Sequence, residues 1–480
     1  MSEIKLLTLS RSANTILLWG LAISAVIVGE FSGWNAGLNL GGIGGMLIAT
    51  LLVAVMFGCL SMSLAELSTA MPFAGGGYAF ARAAFGKKIA VIAATSQVLE
   101  YTFALATILV GIGIEFRAII EGSFLSILAE HAIWVIALVF FVLLNTWDSK
   151  LFFRSALLLA IAPLMVLGLF WVEAIPSFEL TQLLSIKAEV GDSEWLPNGL
   201  MGIAWSMSFA IWFFLSIEVI TLASEEAVEP SKSIPKAFLL AFIVLVFSAL
   251  AVLILDSGVA PGAGAIGSIN APILSGLETV LGGMLSVKMI TSLVLIGALA
   301  GFHSTIYAAS RVVFSLARAQ YLPSKLANQY GRNKTPKLAV YFVALLVFVL
   351  VLLAKNFSEH ISVVALLLNM SVLAAMISYI ISLFSYVVLK VRYPNMERPY
   401  KSPLGVTGAI TGLIIVSIAA IFMFTNSDYR FGLIILAGIY FISLVTYMVI
   451  GKDSINENAP EEAFAIDLQN KLQINGDSDD

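Results

Sequence analysis

Long apolar segments follow one another along almost the whole chain, and this pattern constrains the fold more than any other feature. A helix that crosses the hydrocarbon core of a bilayer needs about 20 mostly apolar residues. Of the 480 residues, 60% are hydrophobic and 12% are charged, whereas an ordinary soluble domain carries about 25% charged residues. A water-soluble fold of this size could not bury so much apolar surface. The sequence therefore predicts an all-α polytopic membrane protein.

Twelve segments have the length and apolar content of a membrane span. We predict the spans at Asn14–Leu38, Gly41–Ala70, Ile89–Ile120, His131–Thr146, Leu151–Ala174, Gly199–Ser224, Ile234–Leu255, Leu285–Arg318, Lys337–Ala354, Ile361–Leu389, Val406–Thr425 and Phe431–Ile450. The corresponding units are an N-terminus (1–13), five spans with a long acidic loop (14–198), five further spans (199–390), two last spans (391–451) and an acidic tail (452–480).

The basic residues are distributed unevenly over the loops and span ends, and this distribution predicts the orientation. With the N-terminus in the cytoplasm, most of the 26 Lys and Arg residues fall on the cytoplasmic side, as the positive-inside rule requires. The exceptions are Arg117, Lys187, Lys288, Lys355 and Arg430. An odd number of spans would destroy this segregation. Both chain ends are therefore predicted to be cytoplasmic.

The first predicted span contains helix-breaking and acidic residues at mid-depth. A glycine costs about 1 kcal/mol relative to alanine inside a helix, and a charged residue at the bilayer centre costs about 2.5–3.5 kcal/mol. Broken helices are tolerated where their backbone lines a protein-enclosed cavity, and the freed N–H and C=O groups can then bind a solute. The predicted substrate-binding residues here are Gly29, Glu30, Phe31, Ser32 and Gly33. A glycine-rich packing face, with Glu30 near the outer boundary, is the structural alternative.

The sixth predicted span has a matching interruption. Its central segment combines three aromatic residues with a serine and a glutamate, from Trp212 to Glu218. Corresponding interruptions in two halves of a chain are the best sequence indication of an inverted-repeat transporter and its central site. We predict that Leu215 and Ser216 bind substrate, and that Trp212 both binds substrate and acts as a gate. Phe213 and Phe214 are predicted gate residues as well, with core packing as the alternative.

Three further motifs lie at the ends of the second, sixth and eighth spans. They read Ala65-Glu66-Leu67 with Pro72-Phe73-Ala74-Gly75-Gly76-Gly77-Tyr78-Ala79-Phe80, then Ser224-Glu225-Glu226-Ala227-Val228-Glu229-Pro230, and Ala317-Arg318-Ala319-Gln320-Tyr321-Leu322-Pro323. In this order they resemble the amino acid–polyamine–organocation superfamily. The resemblance implies a LeuT-like five-plus-five inverted repeat. In that fold helices 1 and 6 are broken, and two further helices follow the repeat.

Within this superfamily the sequence is most similar to the ethanolamine permease group. The residues that carry this similarity are Phe31-Ser32-Gly33-Trp34-Asn35-Ala36-Gly37-Leu38, Gly44-Gly45-Met46-Leu47-Ile48-Ala49-Thr50, Glu100-Tyr101, Val110-Gly111-Ile112-Gly113 and Phe302-His303 with Ile306-Tyr307-Ala308. The resemblance implies a multi-pass protein of a bacterial inner membrane that takes up a small amine, with ethanolamine as the substrate.

A glutamate in the first interruption favours a cationic substrate. In the superfamily, amino acid transporters are thought to hold the substrate carboxylate at this interruption, where Glu30 would repel it. Two like charges about 4 Å apart cost on the order of 4 kcal/mol at an effective dielectric constant of 20, and opposite charges gain as much. Glu30 is therefore the predicted counter-ion of the amine. The ring faces of Tyr101 and Trp212 are predicted to complete the site through cation–π contacts.

A proton is the coupling ion that the sequence favours. Proton-coupled relatives often carry a lysine in the middle of the fifth span, and none is present here. The predicted substitutes are His303, because histidine titrates near neutral pH, and the intramembrane carboxyls of Glu100 and Glu218. Structural roles for His303 and Glu218, as hydrogen-bond partners of neighbouring helices, are the alternatives.

Several other functions are disfavoured by residues that the sequence lacks. There is no metal-spaced cluster, no Ser/His/Asp set and no basic block for nucleic acid, so we expect no enzyme, metal or cofactor. Two alternatives stay open: an amino acid or polyamine permease, and a membrane sensor or scaffold that binds the amine without moving it. The partners that we expect are the lipid bilayer, the substrate and a proton, and a homo-oligomer stays open. The tail after Lys452 is predicted to be mostly disordered, with a short amphipathic helix at Glu461–Leu472.

Overall fold

The computed structural model describes residues 9–123, 125, 130–188, 193–330, 334–355, 363–425, 429–451 and 454–476. Within these residues every regular element is a helix, and β-pairing is limited to isolated bridges. The α-helices are α1 (Thr15–Val26), α2 (Val28–Phe31), α3 (Ala36–Ala70), α4 (Gly77–Phe85), α5 (Lys87–Ile120), α6 (Glu130–Trp147), α7 (Ser149–Ala174), α8 (Leu180–Leu183), α9 (Gly199–Ala210), α10 (Val219–Leu222), α11 (Pro230–Gly258), α12 (Ala263–Ile266), α13 (Pro272–Leu281), α14 (Val287–Arg318), α15 (Lys337–Lys355), α16 (Val363–Arg392), α17 (Gly405–Thr425), α18 (Arg430–Thr446) and α19 (Pro460–Gly476).

The all-α polytopic architecture is confirmed. Nine helices in the described part of the chain are long and apolar enough to cross a membrane. The first, fourth and sixth predicted spans correspond to the shorter apolar stretches Thr15–Phe31, His131–Trp147 and Gly199–Phe213. Each predicted span thus coincides with helical structure, although the start of the tenth, Ile361, lies outside the described residues. Twelve crossings remain a prediction, because length and composition alone identify nine.

The boundary between the first two predicted spans lies at a glycine inside α3. Gly42 has φ 63° and ψ −174°, which is not helical. This left-handed φ is open to glycine because glycine has no Cβ. Residues 36–41 therefore belong to the end of the first span, and the second span runs from 43 to Ala70.

The described N-terminal residues and helix α19 lie on one side of the helical bundle, which we call the terminal face. There Ser12 and Ala13 donate their main-chain N–H groups to the carbonyl oxygen of Glu226, at 2.8 and 3.0 Å. Helix α19 packs against α4 on the same side. In the tail, the predicted helix at Glu461–Leu472 is present within α19, whereas the disorder predicted for the rest of the tail is wrong at residues 454–460 and 473–476. Residues 452–453 and 477–480 lie outside the described residues. The side that carries α12 and α13 is the opposite face.

Candidate functional site

The first interruption is a turn in which some of the polar groups are paired within the protein. After α2, Gly33 takes φ 94°, and α3 begins only at Ala36. The indole N–H of Trp34 donates to the carbonyl oxygen of Glu30 at 3.2 Å. The side chain of Asn35 accepts from the N–H of Gly33 at 3.2 Å, and it donates to two main-chain oxygens at and beyond the end of α12, at 2.6 and 2.7 Å. The break is thus anchored to the opposite face.

The second interruption lies between α9 and α10. A 3₁₀ turn covers Ile211–Phe213, and the chain then turns until α10 begins at Val219. Ser216 has φ 79°, a left-handed conformation that residues other than glycine seldom adopt. Such backbone is held only where its surroundings impose it, and it clusters at functional sites. The predicted breaks in the first and sixth helices are both present.

The two interruptions pack directly against each other. A Cβ on Gly29 would collide with the main-chain oxygen of Trp212, so the two backbones approach as closely as glycine permits. The rings of Trp34 and Phe213 stack with centroids 5.3 Å apart, and both side chains are buried. Phe214 packs on Phe57 of α3, also at 5.3 Å. Phe213 and Phe214 therefore lie in the core around the interruptions.

Two small cavities adjoin the interruptions, and Trp212 lines both. The outer cavity, nearer the opposite face, has a volume of about 80 Å³, and the inner cavity about 10 Å³. Since one water needs roughly 10–15 Å³, the inner cavity accommodates about one water and the outer one a molecule of a few non-hydrogen atoms. Val28 and Ile108 also line both cavities. Trp212, Val28 and Ile108 therefore lie between the two cavities.

The predicted substrate-binding residues are divided between the two cavities. Phe31 and Ser32 line the outer cavity, and Leu215 and Ser216 line the inner one. Gly33 lines neither cavity, but a Cβ on it would come within 2.6 Å of the indole nitrogen of Trp212. Because Gly33 has no side chain, the Trp212 ring can occupy the space beside it.

Glu30 lies behind the first interruption rather than in either cavity. Its side chain is fully buried, faces the hydroxyl group of Ser248 on α11, and has no hydrogen-bond partner for either carboxylate oxygen among the described residues. Successive side chains on a helix point about 100° apart. Because Gly29 faces Trp212, the next residue is turned toward α11.

Glu100 and Glu218, from α5 and from the turn before α10, meet at a shared tyrosine. The hydroxyl group of Tyr379 on α16 lies 3.0 Å from Glu218 Oε2 and 3.3 Å from Glu100 Oε1. Tyr101 donates its hydroxyl hydrogen to Glu218 Oε1 at 2.7 Å. Tyr101 lines neither cavity. All four side chains are buried. Two predicted coupling residues are therefore neighbours.

His303 belongs to a separate buried cluster. Its Nε2 atom lies 2.8 Å from the hydroxyl oxygen of Ser155 on α7, and its Nδ1 atom lies 3.2 Å from the amide nitrogen of Asn145 on α6. The ring also packs against Phe152, with centroids 4.8 Å apart. The histidine connects three helices and does not contact the carboxyl pair around Tyr379.

Two polar residues of this region were not selected from the sequence. Tyr379 is one of two tyrosines in the apolar helix α16, and nothing in the local sequence indicates its carboxyl partners. Glu115 of α5 lines the outer cavity, and its Oε2 atom is buried without a hydrogen-bond partner among the described residues. Its position near the predicted end of a span made it resemble an interfacial charge. No group of His, Cys, Asp and Glu suited to a metal ion occurs in the described part of the chain.

Two interrupted helices that meet around small internal cavities, in a bundle of apolar helices, define a multi-pass membrane transporter. The family profile described as "Amino acid permease" matches residues 15–460. An uncharacterised transporter of Rhizobium meliloti is 27% identical over 423 residues, covering 86% of each chain. A branched-chain amino acid permease of Bacillus subtilis is 25% identical over 378 residues, covering 73% of this chain and 75% of the relative.

A D-serine/D-alanine/glycine transporter of Escherichia coli is 25% identical over 335 residues, covering 66% of this chain and 70% of the relative. The chain belongs to the amino acid permease family. The family and these relatives are transporters and not enzymes, which agrees with the expected function class.

Proposed function

We propose that the protein is a secondary active transporter that imports a small amine, with ethanolamine as the first candidate, in symport with protons. The observation that carries this proposal is the contact between the two interrupted helices, with Trp212 between two cavities. Substrate sites of such transporters form at paired discontinuous helices, where freed backbone groups and helix ends can bind a solute. A sensor that binds without transport would not need a second cavity beyond the ring.

Alternating access requires a barrier that can be removed on one side at a time. Trp212 suits this role because it lines both cavities and its indole N–H has no partner among the described residues. A side-chain rotation would join the two spaces without breaking a hydrogen bond of that group. Phe213 and Phe214 support the barrier from the core, against Trp34 and Phe57.

Hydrogen-bond counting around Tyr379 favours a bound proton. A tyrosine hydroxyl group has one hydrogen to donate, whereas ionised carboxylates only accept. Tyr379 can therefore donate to Glu218 or to Glu100, and the other contact requires a protonated carboxyl that donates to the phenol oxygen. Two ionised carboxylates in a dry site would also repel each other. We propose that Glu100 and Glu218 share a proton that moves with the substrate, and His303 remains a second candidate for coupling.

We further propose that the terminal face is cytoplasmic and that the protein resides in a bacterial inner membrane. The distribution of Lys and Arg supports this orientation. The compared relatives from Rhizobium, Bacillus and Escherichia support a bacterial membrane.

An amino acid permease is the second candidate, and polyamine transport belongs with it. The supporting observation is that two compared relatives are named for amino acid substrates. The position of Glu30 is a second supporting observation, because Glu30 faces Ser248 and lines neither cavity, so a substrate carboxylate there would not contact it directly.

The proposal is tested with the purified protein in liposomes, by following labelled ethanolamine with and without an inward proton gradient. We expect accumulation that a protonophore abolishes. Tyr379→Phe should lose gradient-driven accumulation, while Tyr440→Phe, whose hydroxyl group pairs only with Ser96 at 2.8 Å among the described side chains, should keep it. Full accumulation by His303→Ala would remove this histidine from coupling.

The other outcomes separate the candidates. Uptake of an amino acid or a diamine without uptake of ethanolamine would replace the substrate with that of the second candidate. Equal ethanolamine uptake with and without the gradient would contradict proton coupling. No uptake of any tested amine or amino acid by folded protein would overturn the proposed transport function.

A further inference from the structure

Among the described residues that line the outer cavity, Glu115 is the one with an ionisable side chain. Its Oε2 atom is buried and unpaired within the described residues, near the end of α5 on the opposite face. Burying a carboxylate is costly unless a charged or hydrogen-bonding partner compensates. The other polar side chains that line this cavity are those of Ser32, Thr107, Trp212 and Asn270, which are uncharged.

The cavity therefore combines one carboxylate with hydroxyl, amide and aromatic groups. A primary ammonium group supplies the positive charge and the N–H donors that Glu115 lacks. The hydroxyl and amide groups of Ser32 and Asn270 can pair with a substrate hydroxyl group, and the ring of Trp212 can face the cation. A substrate carboxylate, in contrast, would meet a like charge.

We propose that Glu115 is the carboxylate that receives the ammonium group of the substrate in the outer cavity, before the substrate passes Trp212. This inference rests on the proposed amine transport and specifies the first point of amine selection. Glu30 lies behind the first interruption, so its predicted role as counter-ion of the amine would apply only after the substrate has left the outer cavity.

The test compares Glu115→Gln with Glu121→Gln in the reconstituted full-length protein. Glu121 follows α5 directly and is exposed, and its side chain lines neither cavity, so it provides a matched loss of charge. We expect Glu115→Gln to weaken ethanolamine binding at least about tenfold, because an opposite charge in a weakly screened site is lost. Glu121→Gln should bind as the wild type does, and Glu115→Asp should retain most of the affinity.

A second measurement does not depend on the folding of the variants. In the wild-type protein, a hydrophobic carbodiimide should activate Glu115, which then forms an N-acylurea or, with ethanolamine as the nucleophile, an ethanolamide. Bound ethanolamine should lower the summed yield of both products at Glu115, and ethylene glycol should leave the yield of modification unchanged. Unchanged ethanolamine affinity in folded Glu115→Gln, or carbodiimide modification of Glu115 that ethanolamine leaves unaltered, would overturn the role of Glu115 alone. Wild-type protein that binds no amine would overturn the proposed amine transport as well.

A different observation, on the terminal face, carries a second inference. The Glu462 side chain of α19 is fully buried, with Oε2 2.6 Å from Arg82 Nε and Oε1 2.6 Å from the hydroxyl oxygen of Tyr78, both on α4. Oε1 also accepts from Tyr321, just after α14, at 3.1 Å. One carboxylate of the tail thus joins α4 to the end of the eighth span.

The neighbouring Glu461 extends this network to the interrupted sixth helix. It pairs with Arg318 at 2.9 Å and accepts from Ser315 at 2.7 Å, both on α14. Arg318 also pairs at 3.1 Å with Glu225, which lies just after α10. The other carboxylate oxygen of Glu225 accepts from the main-chain N–H of Ala74 at 3.1 Å. Buried charges of this kind are destabilising when one partner leaves.

We propose that α19 is a latch that keeps the terminal face closed, and that it must undock when the α10 side of the sixth helix moves. The latch does not depend on which substrate is carried. It acts by joining three elements, α4, α14 and the segment after α10, that have to separate for this face to open.

Hydrogen–deuterium exchange of the full-length protein tests the latch. In a Glu461→Gln, Glu462→Gln double variant, we expect faster exchange both in α19 and in residues 219–229. Asp467→Asn is the matched control, because Asp467 pairs with Lys471 at 2.7 Å on the exposed side of the same helix. Its exchange at residues 219–229 should equal that of the wild type.

Two results would contradict the latch. One is unchanged exchange in α19 of the double variant, and the other is faster exchange in α19 with no change at residues 219–229. If the double variant does not fold, an exchange of charges replaces it. Arg82→Glu should accelerate exchange at residues 219–229, and its combination with Glu462→Arg should reverse the effect; no reversal would overturn the proposal.

Discussion

At the scale of single residues, the contact between the two interruptions depends on the absence of a side chain at one position. Gly29 lies against the main-chain oxygen of Trp212, so even a methyl group there must displace backbone. Gly168 on α7 is the opposite case, because a Cβ built on it would meet no heavy atom within 4 Å outside its own helix. We therefore predict opposite changes in stability when each of the two glycines is replaced by alanine.

Gly29→Ala is predicted to destabilise the protein by about 1–3 kcal/mol through overpacking, and to reduce transport at least about tenfold. Gly168→Ala is predicted to stabilise it by up to about 1 kcal/mol, because alanine is the better helix former. Thermal unfolding of both variants in detergent measures the sign of each effect. Equal shifts in the midpoint temperature would show that the two interruptions do not need their close approach.

At the scale of elements, the interruptions were predictable because glycine and acidic residues are costly inside a membrane helix. The first helix breaks where glycines flank Glu30, the sixth breaks at Ser216 close to Glu218, and the α3 kink falls at Gly42 within a glycine-rich segment. Helix α19 was predicted as well, with bounds close to those observed. Its docking was not, because an amphipathic pattern does not identify the surface that a helix covers.

At the scale of the whole molecule, composition and the spacing of apolar segments were sufficient to predict an all-helical membrane protein. The pairing of distant side chains was not predictable in this way. Tyr78 and Glu462 are 384 positions apart in the chain, and Tyr379 bonds with carboxyl groups from two other helices. Such partners depend on how the helices are arranged around one another, which local patterns do not encode.

The candidate site illustrates the same limit. The two interruptions that line the cavities were predicted, but the other lining segments and the direction of individual side chains were not. Glu30 follows Gly29 by one position and is therefore turned away from Trp212, toward Ser248, whereas the unselected Glu115 lines the outer cavity. A rotation of about 100° per residue decides which carboxyl faces a substrate, and it can be assigned only once the neighbouring helices are known.

We propose that a small amine crosses the membrane on a carrier whose one site is accessible in turn from each side. Counterflow measures this most directly: liposomes loaded with unlabelled ethanolamine are diluted into a trace of labelled ethanolamine, without any ion gradient. We predict a transient accumulation of label inside the liposomes. Gly29→Ala should suppress this accumulation, and an equal concentration of ethylene glycol should not reduce it. A sensor or scaffold would give no accumulation. If folded protein accumulated neither ethanolamine nor any member of an amino acid and diamine panel, the proposed transport would be contradicted.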